Sequence, residues 1–521
     1  MYIRKMQPLS PPPGALNAGT FRYLFWLLLF LNLLNHALVY LFVNVQHIDS
    51  DQFYMWHGAV DYAKGKFYEP RFYGQDYNTF IEALPAVPLL WLGIPVYYAL
   101  PLSTHLLAFF PFLFPATLLY RTKNYSVAVV ILALPLCLSL AYDIMSGIPR
   151  GFVGGLFFSS FFILSIRQPE NLRFIALNTT MAVAGYFINP NSTLVAVPFL
   201  FYLFLHNYKR KAYYFTSLII LPLYLLLHFF LDNFYLRNPD YVVYSLGLEF
   251  RGAFFLENVK NIHSRLAHAS FFSDKHAWWF FAAFLLLLGA LFKHNRRAFY
   301  ASLLLPVMIG LSMASNKGSD GETWPFYSLS RAYLGTPLFF LLFFTSLPVN
   351  KKRIASFIAI AAILFSSYKL LTFRDKLNFY LEQENKLGVH LLKLDYCLEA
   401  INFFKTRCET QQCRQLMVST HFWLNTLLAY GGPAADENFP LCFETRNEHR
   451  YWMREGLKNE VSERFIYISP LSDLDERVQA KNFVIQELDN YGLYLITENT
   501  LSNGDFISIV LKAEEDSFSE Q

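Results

Sequence analysis

Eleven long apolar runs, with Lys and Arg gathered in every second gap between them, constrain this chain more than any other feature. The runs lie at 21–45, 96–120, 125–142, 151–166, 174–188, 192–206, 212–231, 277–292, 298–315, 327–348 and 354–372. A helix of ~20 mostly apolar residues crosses a bilayer core, and a helix satisfies its own backbone hydrogen bonds there. The basic clusters are Arg121/Lys123, Arg167/Arg173, Lys209/Arg210/Lys211, Lys293/Arg296/Arg297 and Lys351/Lys352/Arg353. Arg4, Lys5 and Arg22 add a sixth at the N-terminus. Positive charge marks the cytoplasmic side, so the alternation predicts a cytoplasmic N-terminus. With eleven spans the C-terminus is external, as are residues 46–95, 232–276, 316–326 and 373–521. The first run is too long for a cleaved signal peptide and reads as a retained helix.

Composition excludes the other classes. Hydrophobic residues make up 54% and charged ones only 16%, against about 25% charged in a soluble domain. A disordered, fibrous or ordinary soluble protein is ruled out. The net charge of +4 comes with no basic stripe, so nucleic acid is not the expected partner. The predicted fold is an α-helical polytopic membrane protein of eleven transmembrane helices over residues 1–372, with a small external α/β domain over 373–521.

Within that tail, 414–420 and 464–468 read as strands, and 421–430 and 473–488 as helices. Residues 492–496 and 505–512 read as a closing hairpin around Ser502-Asn503-Gly504, followed by a frayed acidic end. Cys397, Cys408, Cys413 and Cys442 lie here. An even number in an external domain permits two disulfides, and four buried thiols fit equally well.

The first external region is the most informative. Asp49-Ser-Asp51-Gln52 follows the first span directly, and Phe53, Trp56, His57, Val60 and Lys64 recur at helical spacing. An interfacial helix is predicted over about 50–64, ended by Gly65. A second helix is expected after Gly74-Gln75-Asp76-Tyr77-Asn78-Thr79, carrying Glu82. Asp49 and Asp51 then sit at a helix N-terminus, where free N–H groups and the helix dipole stabilise a carboxylate. Asp49 with Gln52, and Thr79 with Glu82, fit capping boxes. Capping does not explain Asp51, which makes it the better candidate for a general base. Histidines 47, 57, 263, 268 and 276 lack metal-pair spacing and read as packing or surface residues. Gly151-Phe-Val-Gly154-Gly155 reads as a close approach of two spans, not a phosphate loop.

In order along the chain stand the acidic motif after the first span, residues 73–90 (YGQDYNTFIEALPAVPLL), Pro149-Arg150-Gly151-Phe152, Gly185-Tyr-Phe-Ile-Asn189-Pro190 and Ser330-Arg331-Ala-Tyr333-Leu-Gly-Thr-Pro337. This series resembles the GT-C glycosyltransferases. The nearest group is family 39-like, which includes protein O-mannosyltransferases and bacterial aminoarabinose transferases. The family often has Asp-Glu in the first loop where this chain has Asp51-Gln52, so either Asp51 or Asp49 is the counterpart of its base. The resemblance implies transfer of a sugar from a polyprenyl-phosphate donor to an external glycan, lipid or protein acceptor, with inversion, at a bacterial inner membrane. With it, Glu82, Asp76, Arg150, Arg331, Tyr333 and Lys317 are the candidates for substrate binding; among the cations Arg150 and Arg331 are the best placed, with Lys317 and Arg251 behind them. No cofactor or metal-ligand set follows, and a divalent cation stays open.

Two other classes compete: a transporter or flippase of lipid-linked glycans, and a non-catalytic assembly subunit. A transporter places ionisable groups mid-span and shows a repeat. Here the acidic residues gather at the outer surface, and no repeat is visible. The topology has a direct test. Cysteine introduced at Arg210 is expected to resist a membrane-impermeant thiol reagent applied from outside, while cysteine introduced in 373–521 reacts. External labelling at position 210 would invert the assignment.

Overall fold

The computed structural model describes residues 17–72, 78–218, 220–239, 241, 247–273, 275–316, 326, 329–347, 352–387, 391–420, 422–444, 459–478, 482–489 and 492–519. All eleven apolar runs contain helix. Among the described residues five helices are long and apolar enough to cross a membrane: 18–44, 96–121, 211–237, 296–314 and 352–371. The remaining predicted spans are shorter or broken. The chain is an integral, mainly α-helical membrane protein with a C-terminal α/β unit.

The helices used below are α1 (Ala18–Val39), α2 (Ser50–Ala63), α3 (Val96–Arg121), α4 (Tyr125–Leu136), α5 (Leu172–Ile188), α6 (Trp278–His294), α7 (Thr336–Thr345), α8 (Lys352–Leu371) and α9 (Phe373–Leu387). Helix α1 starts at Asn17, whose side chain accepts from the Thr20 N–H at 2.8 Å. Helix α4 lies at the centre, against α1, α3 and α8. Its 12 residues rise only ~18 Å, too little to cross the core alone. Side chains satisfy the carbonyls near its end. Asn32 donates to Leu132 O at 2.8 Å and Lys369 to Leu138 O at 3.0 Å, while the Phe272 N–H reaches Cys137 O at 2.8 Å. A buried lysine at a helix C-terminus meets the negative end of the dipole, which accounts for a charge at this depth.

The expected close approach is present. A Cβ on Gly155 would lie 2.9 Å from the carbonyl oxygens of Gly185 and Asn189. Only glycine lets the backbone reach α5 this closely.

The α/β unit carries a five-stranded sheet of order β4-β3-β5-β7-β6. The strands are β3 (Gln415–Val418), β4 (Leu441–Glu444), β5 (Phe465–Ile468), β6 (Val484–Asp489) and β7 (Leu493–Thr497). Strand β3 runs parallel to β4 and β5 and is buried along its whole length, as a covered parallel strand should be. Two expectations are corrected. Residues 473–488 form only a short helix, Leu474–Arg477, before β6. Residues 505–512 belong to a helix, α10 (Asn503–Ser519), and the hairpin is β6–β7. The acidic end is therefore helical through Ser519. Its Glu514 is buried and accepts from Ser419, Tyr467 and Ser469 at 2.7–2.9 Å. All four cysteines of this unit are buried free thiols.

This unit sits on α2. Strand β1 (His47–Asp49) pairs antiparallel with β2 (Leu391–Lys393). Phe53, Trp56 and Ala59 of α2 share one apolar cluster with Leu394, Cys397, Leu428 and Tyr430. Gly431 leaves room for the Phe53 ring, which lies 2.9 Å from where a Cβ would be. The predicted amphipathic helix is thus real, but protein covers the face that was assigned to lipid.

Candidate active site

The site is built around Arg150. Burying a guanidinium is costly unless its donors are met by acceptors and charge. Arg150 is 2% exposed and meets both conditions. Its Nη2 donates to Asp49 Oδ2 at 2.6 Å, its Nη1 donates to the Phe326 carbonyl, and Asp143 Oδ1 lies 3.7 Å from Nη1. Asp49 also caps α2, accepting from the Asp51 N–H at 2.9 Å. The capping expectation for Asp49 therefore holds in half: the reciprocal contact from Gln52 is not made. One carboxylate starts a helix and neutralises an arginine 101 residues away.

The loop that carries Arg150 is pinned residue by residue. Asn78 donates to Arg150 O at 3.0 Å, Asn189 to Gly151 O at 3.2 Å, and Asn191 to Phe152 O at 2.8 Å. The Val153 N–H donates to Glu82 Oε2 at 3.1 Å, and Thr104 donates to Glu82 Oε1 at 3.2 Å. Gly151 has φ +78°, and the Asn78 amide lies 2.4 Å from where its Cβ would stand, so no other residue fits. The Arg331 guanidinium lies 5.1 Å from the centre of the Phe152 ring, within cation–π range. The stretches around 78–82, 149–152, 185–190 and 330–333 thus meet at one place.

Asp143 and Glu82 differ electrostatically. Burial pushes Asp143 above the usual aspartate range, while Arg150 and Arg331 pull it down. Burial raises Glu82 to about 7 against the backbone N–H groups of Val153, Gly151 and Gly154 and the Thr104 hydroxyl. Thr79 caps nothing with its side chain, so Glu82 is a tie between loops and not half of a capping box. Asp51, in the first turn of α2, is the only one of the four near this point that keeps partial solvent exposure.

The other nominated residues divide clearly. Tyr333 is buried in the bundle core. Asp76 and Lys317 lie outside the described residues. Arg251 is exposed and paired with Glu249 at 2.6 Å. His57 bridges to the α/β unit, 3.5 Å from Asp61 and 3.3 Å from Tyr430 O. Asp143 was missed by sequence reasoning, although a lone acid closing an apolar run is a signal in itself. A second omission lies behind it, within the spans. His36 and His105 share a 2.9 Å Nδ1–Nδ1 contact, and His105 Nε2 lies 2.9 Å from Asn44 Oδ1. The His105 ring fills the space beside Gly147. Among the described residues no group of three His, Cys, Asp or Glu side chains is placed to hold a metal.

No family model matches the chain, and no curated protein matches it. Its structure is similar to that of ArnT from Cupriavidus metallidurans, crystallised bound to undecaprenyl phosphate. The two are 10% identical, with a TM-score of 0.47 over 93% of this chain and 99% of that one.

Two measurements probe this arrangement. Removing one partner of a buried ion pair costs ~3–5 kcal/mol, so Arg150→Met and Asp49→Asn are each expected to lower the melting temperature in detergent. The double variant should lose less than the sum, and strict additivity would mean the pair is uncoupled. Glu82 holds its proton more tightly folded than unfolded. Its stability contribution is therefore full below about 4.5 and is lost as pH rises through about 7. The wild type is expected to lose roughly 3 kcal/mol between pH 5 and 8 relative to Glu82→Gln at most. Parallel pH profiles of the two proteins would refute this.

Proposed function

We propose that this protein is a membrane glycosyltransferase that moves a sugar from a polyprenyl-phosphate donor to an acceptor hydroxyl, with inversion. The observation that carries the reading is the convergence of four separate sequence stretches on the Arg150–Asp49–Asp143 cluster, with the more hydrated Asp51 at its edge. These are the stretches that resemble the GT-C family, and they lie far apart in the chain.

In this reading the Asp51 carboxylate accepts the proton of the acceptor hydroxyl. The acceptor oxygen forms its bond to the anomeric carbon as the bond from that carbon to the phosphate oxygen breaks. The polyprenyl phosphate leaves with the electron pair. Arg150 fixes Asp49 and so the start of α2, which places Asp51. Arg331 adds positive potential toward the leaving phosphate. The assignment of 1–372 as membrane domain and 373–521 as external domain, the cytoplasmic N-terminus and the bacterial inner membrane belong to this proposal. So does an acceptor that is a glycan, lipid or protein.

The intramembrane His36–His105 pair and Lys369 are what a transporter reading asks for. Lys369 is accounted for as the ligand of the Leu138 carbonyl, and the histidines as packing behind Gly147. Among the described residues, that removes the two intramembrane groups that best support the transporter reading.

The deciding experiment compares Asp51→Asn with Asp49→Asn in a transfer assay against a panel of polyprenyl-phosphate sugars. Losing a general base costs ~10²–10⁴-fold in rate. Asp51→Asn is expected to be that slow at an unchanged melting temperature, whereas Asp49→Asn loses stability as well. Near-normal transfer in Asp51→Asn would remove the base. No transfer by the wild type from any donor would favour the non-catalytic subunit.

A further inference from the structure

Two adjoining hollows lie beside the Arg150 cluster, and nothing above uses them. The first is a cleft of 740 Å³ between α9, the end of α8 and the segment around 268–276. Among the described residues, four basic side chains line it, Lys275, Lys376, His268 and His276, against one acidic residue, Asp375. The cations stand on aromatic walls. Lys275 lies 5.7 Å from the Phe379 ring centre, and Lys376 lies 5.4 Å from that of Tyr368. The second hollow is a groove of 480 Å³ among α4, α6, α7 and α8, lined by no charged side chain among the described residues. Phe272 lines both.

Polar and apolar compartments joined end to end fit an amphiphile with an anionic head. Arg150 is not available to that head, because both of its terminal nitrogens are engaged by protein acceptors. A phosphate monoester carries about −1.5 to −2 charges at neutral pH, and lysines meet it as mobile point charges. The cleft also lies close to the cluster. Tyr380 in its wall packs 5.7 Å from Phe326, whose carbonyl receives Arg150, and His268 packs 6.3 Å from Tyr142, next to Asp143.

We infer that this pair of hollows binds the polyprenyl phosphate itself, with the phosphate held by Lys275 and Lys376 and the isoprenoid chain laid in the groove past Phe272. The inference rests on the reading that the protein uses such a lipid. It departs from the expectation that Arg150 binds the phosphate.

Trp279 lines the groove and reports its occupancy. Farnesyl phosphate, farnesol, inorganic phosphate and phosphatidylglycerol are titrated into the detergent-solubilised full chain while tryptophan fluorescence is followed. Trp279→Phe supplies the background of the other tryptophans. Farnesyl phosphate is expected to bind tightest, farnesol weakly, and inorganic phosphate without a Trp279 signal. The Lys275→Ala/Lys376→Ala double variant should weaken farnesyl phosphate at least tenfold and leave farnesol unchanged. Ala283→Trp, which fills the groove, should abolish both. Unaltered farnesyl phosphate affinity in the lysine variant would overturn the head site. Equal competition by phosphatidylglycerol would assign the groove to bulk lipid and overturn the inference. A protein that binds in the expected order yet transfers no sugar would keep this site and lose the transferase reading. Sugar transfer with lysine variants that behave as wild type would do the reverse.

Discussion

A guanidinium removed from water demands acceptors, and both terminal nitrogens of Arg150 obtain them from segments far apart in the chain. Asp49 comes from the end of the first span, Asp143 from beyond the broken helix α4, and the Phe326 carbonyl from a late connection. Each contact is worth little as an isolated surface pair. Together, in a site with almost no solvent, they are mutually required, because losing any one leaves a buried charge uncompensated. The loop that bears Arg150 is pinned in turn by Asn78, Glu82, Asn189 and Asn191. The result is a rigid platform at one end of the bundle, and rigidity is what a site needs when catalysis depends on groups placed in advance.

The same aspartate transmits this rigidity to the C-terminal unit. Asp49 ends strand β1, which pairs with β2, and starts α2, whose apolar face forms one core with the α/β unit. The unit is therefore not a tethered appendage. It covers the side of α2 that an amphipathic pattern alone assigns to lipid. A helix with one apolar face states only that something apolar covers it. Whether that partner is lipid or protein depends on residues 391–435, more than 300 positions away.

The legible parts of the fold were those governed by local chemistry. Apolar runs, basic gaps, the Asp49 start of α2, the left-handed Gly65 end and the Gly155–Gly185 approach all follow from a few adjacent residues. The misread parts were decided elsewhere. Residues 484–489 (VIQELD) have helix-forming side chains, yet they pair with β7, and pairing overrides so weak a preference. Residues 505–512 (DFISIVLK) are rich in β-branched and aromatic side chains, as strands are. The stronger signal was Ser502-x-x-Asp505, where the Ser502 hydroxyl accepts from the Asp505 N–H at 3.2 Å and caps α10. Helix α4 reads as a full span because hydropathy is blind to Pro135 and to the side chains of Asn32 and Lys369 that let it stop early. In the site, the motif stretches were visible, but their partners were not. Glu82 looked like a cap because Thr79 stands three residues before it, and its true acceptor role is toward a loop 71 residues on.

Four carboxylates come close to one point, of which the sequence nominates Asp51 and Asp49 as bases and Glu82 for binding, and their surroundings separate them. Asp49 is held in a 2.6 Å pair with a buried arginine, so taking up a proton would strand that charge. Glu82 is committed to the Val153 N–H and the Thr104 hydroxyl, and it is buried away from any acceptor substrate. Asp143 is buried 3.7 Å from the Arg150 guanidinium, with little exposed surface through which to pass a proton onward. A base that must cycle needs both a proton donor in reach and a route to water. Asp51 is the one whose side chain is not sealed in. The contrast follows the rule that like groups in unlike environments take unlike roles: three of these acids are buried ties between segments, and the proposal gives the base's role to the fourth, which keeps partial exposure.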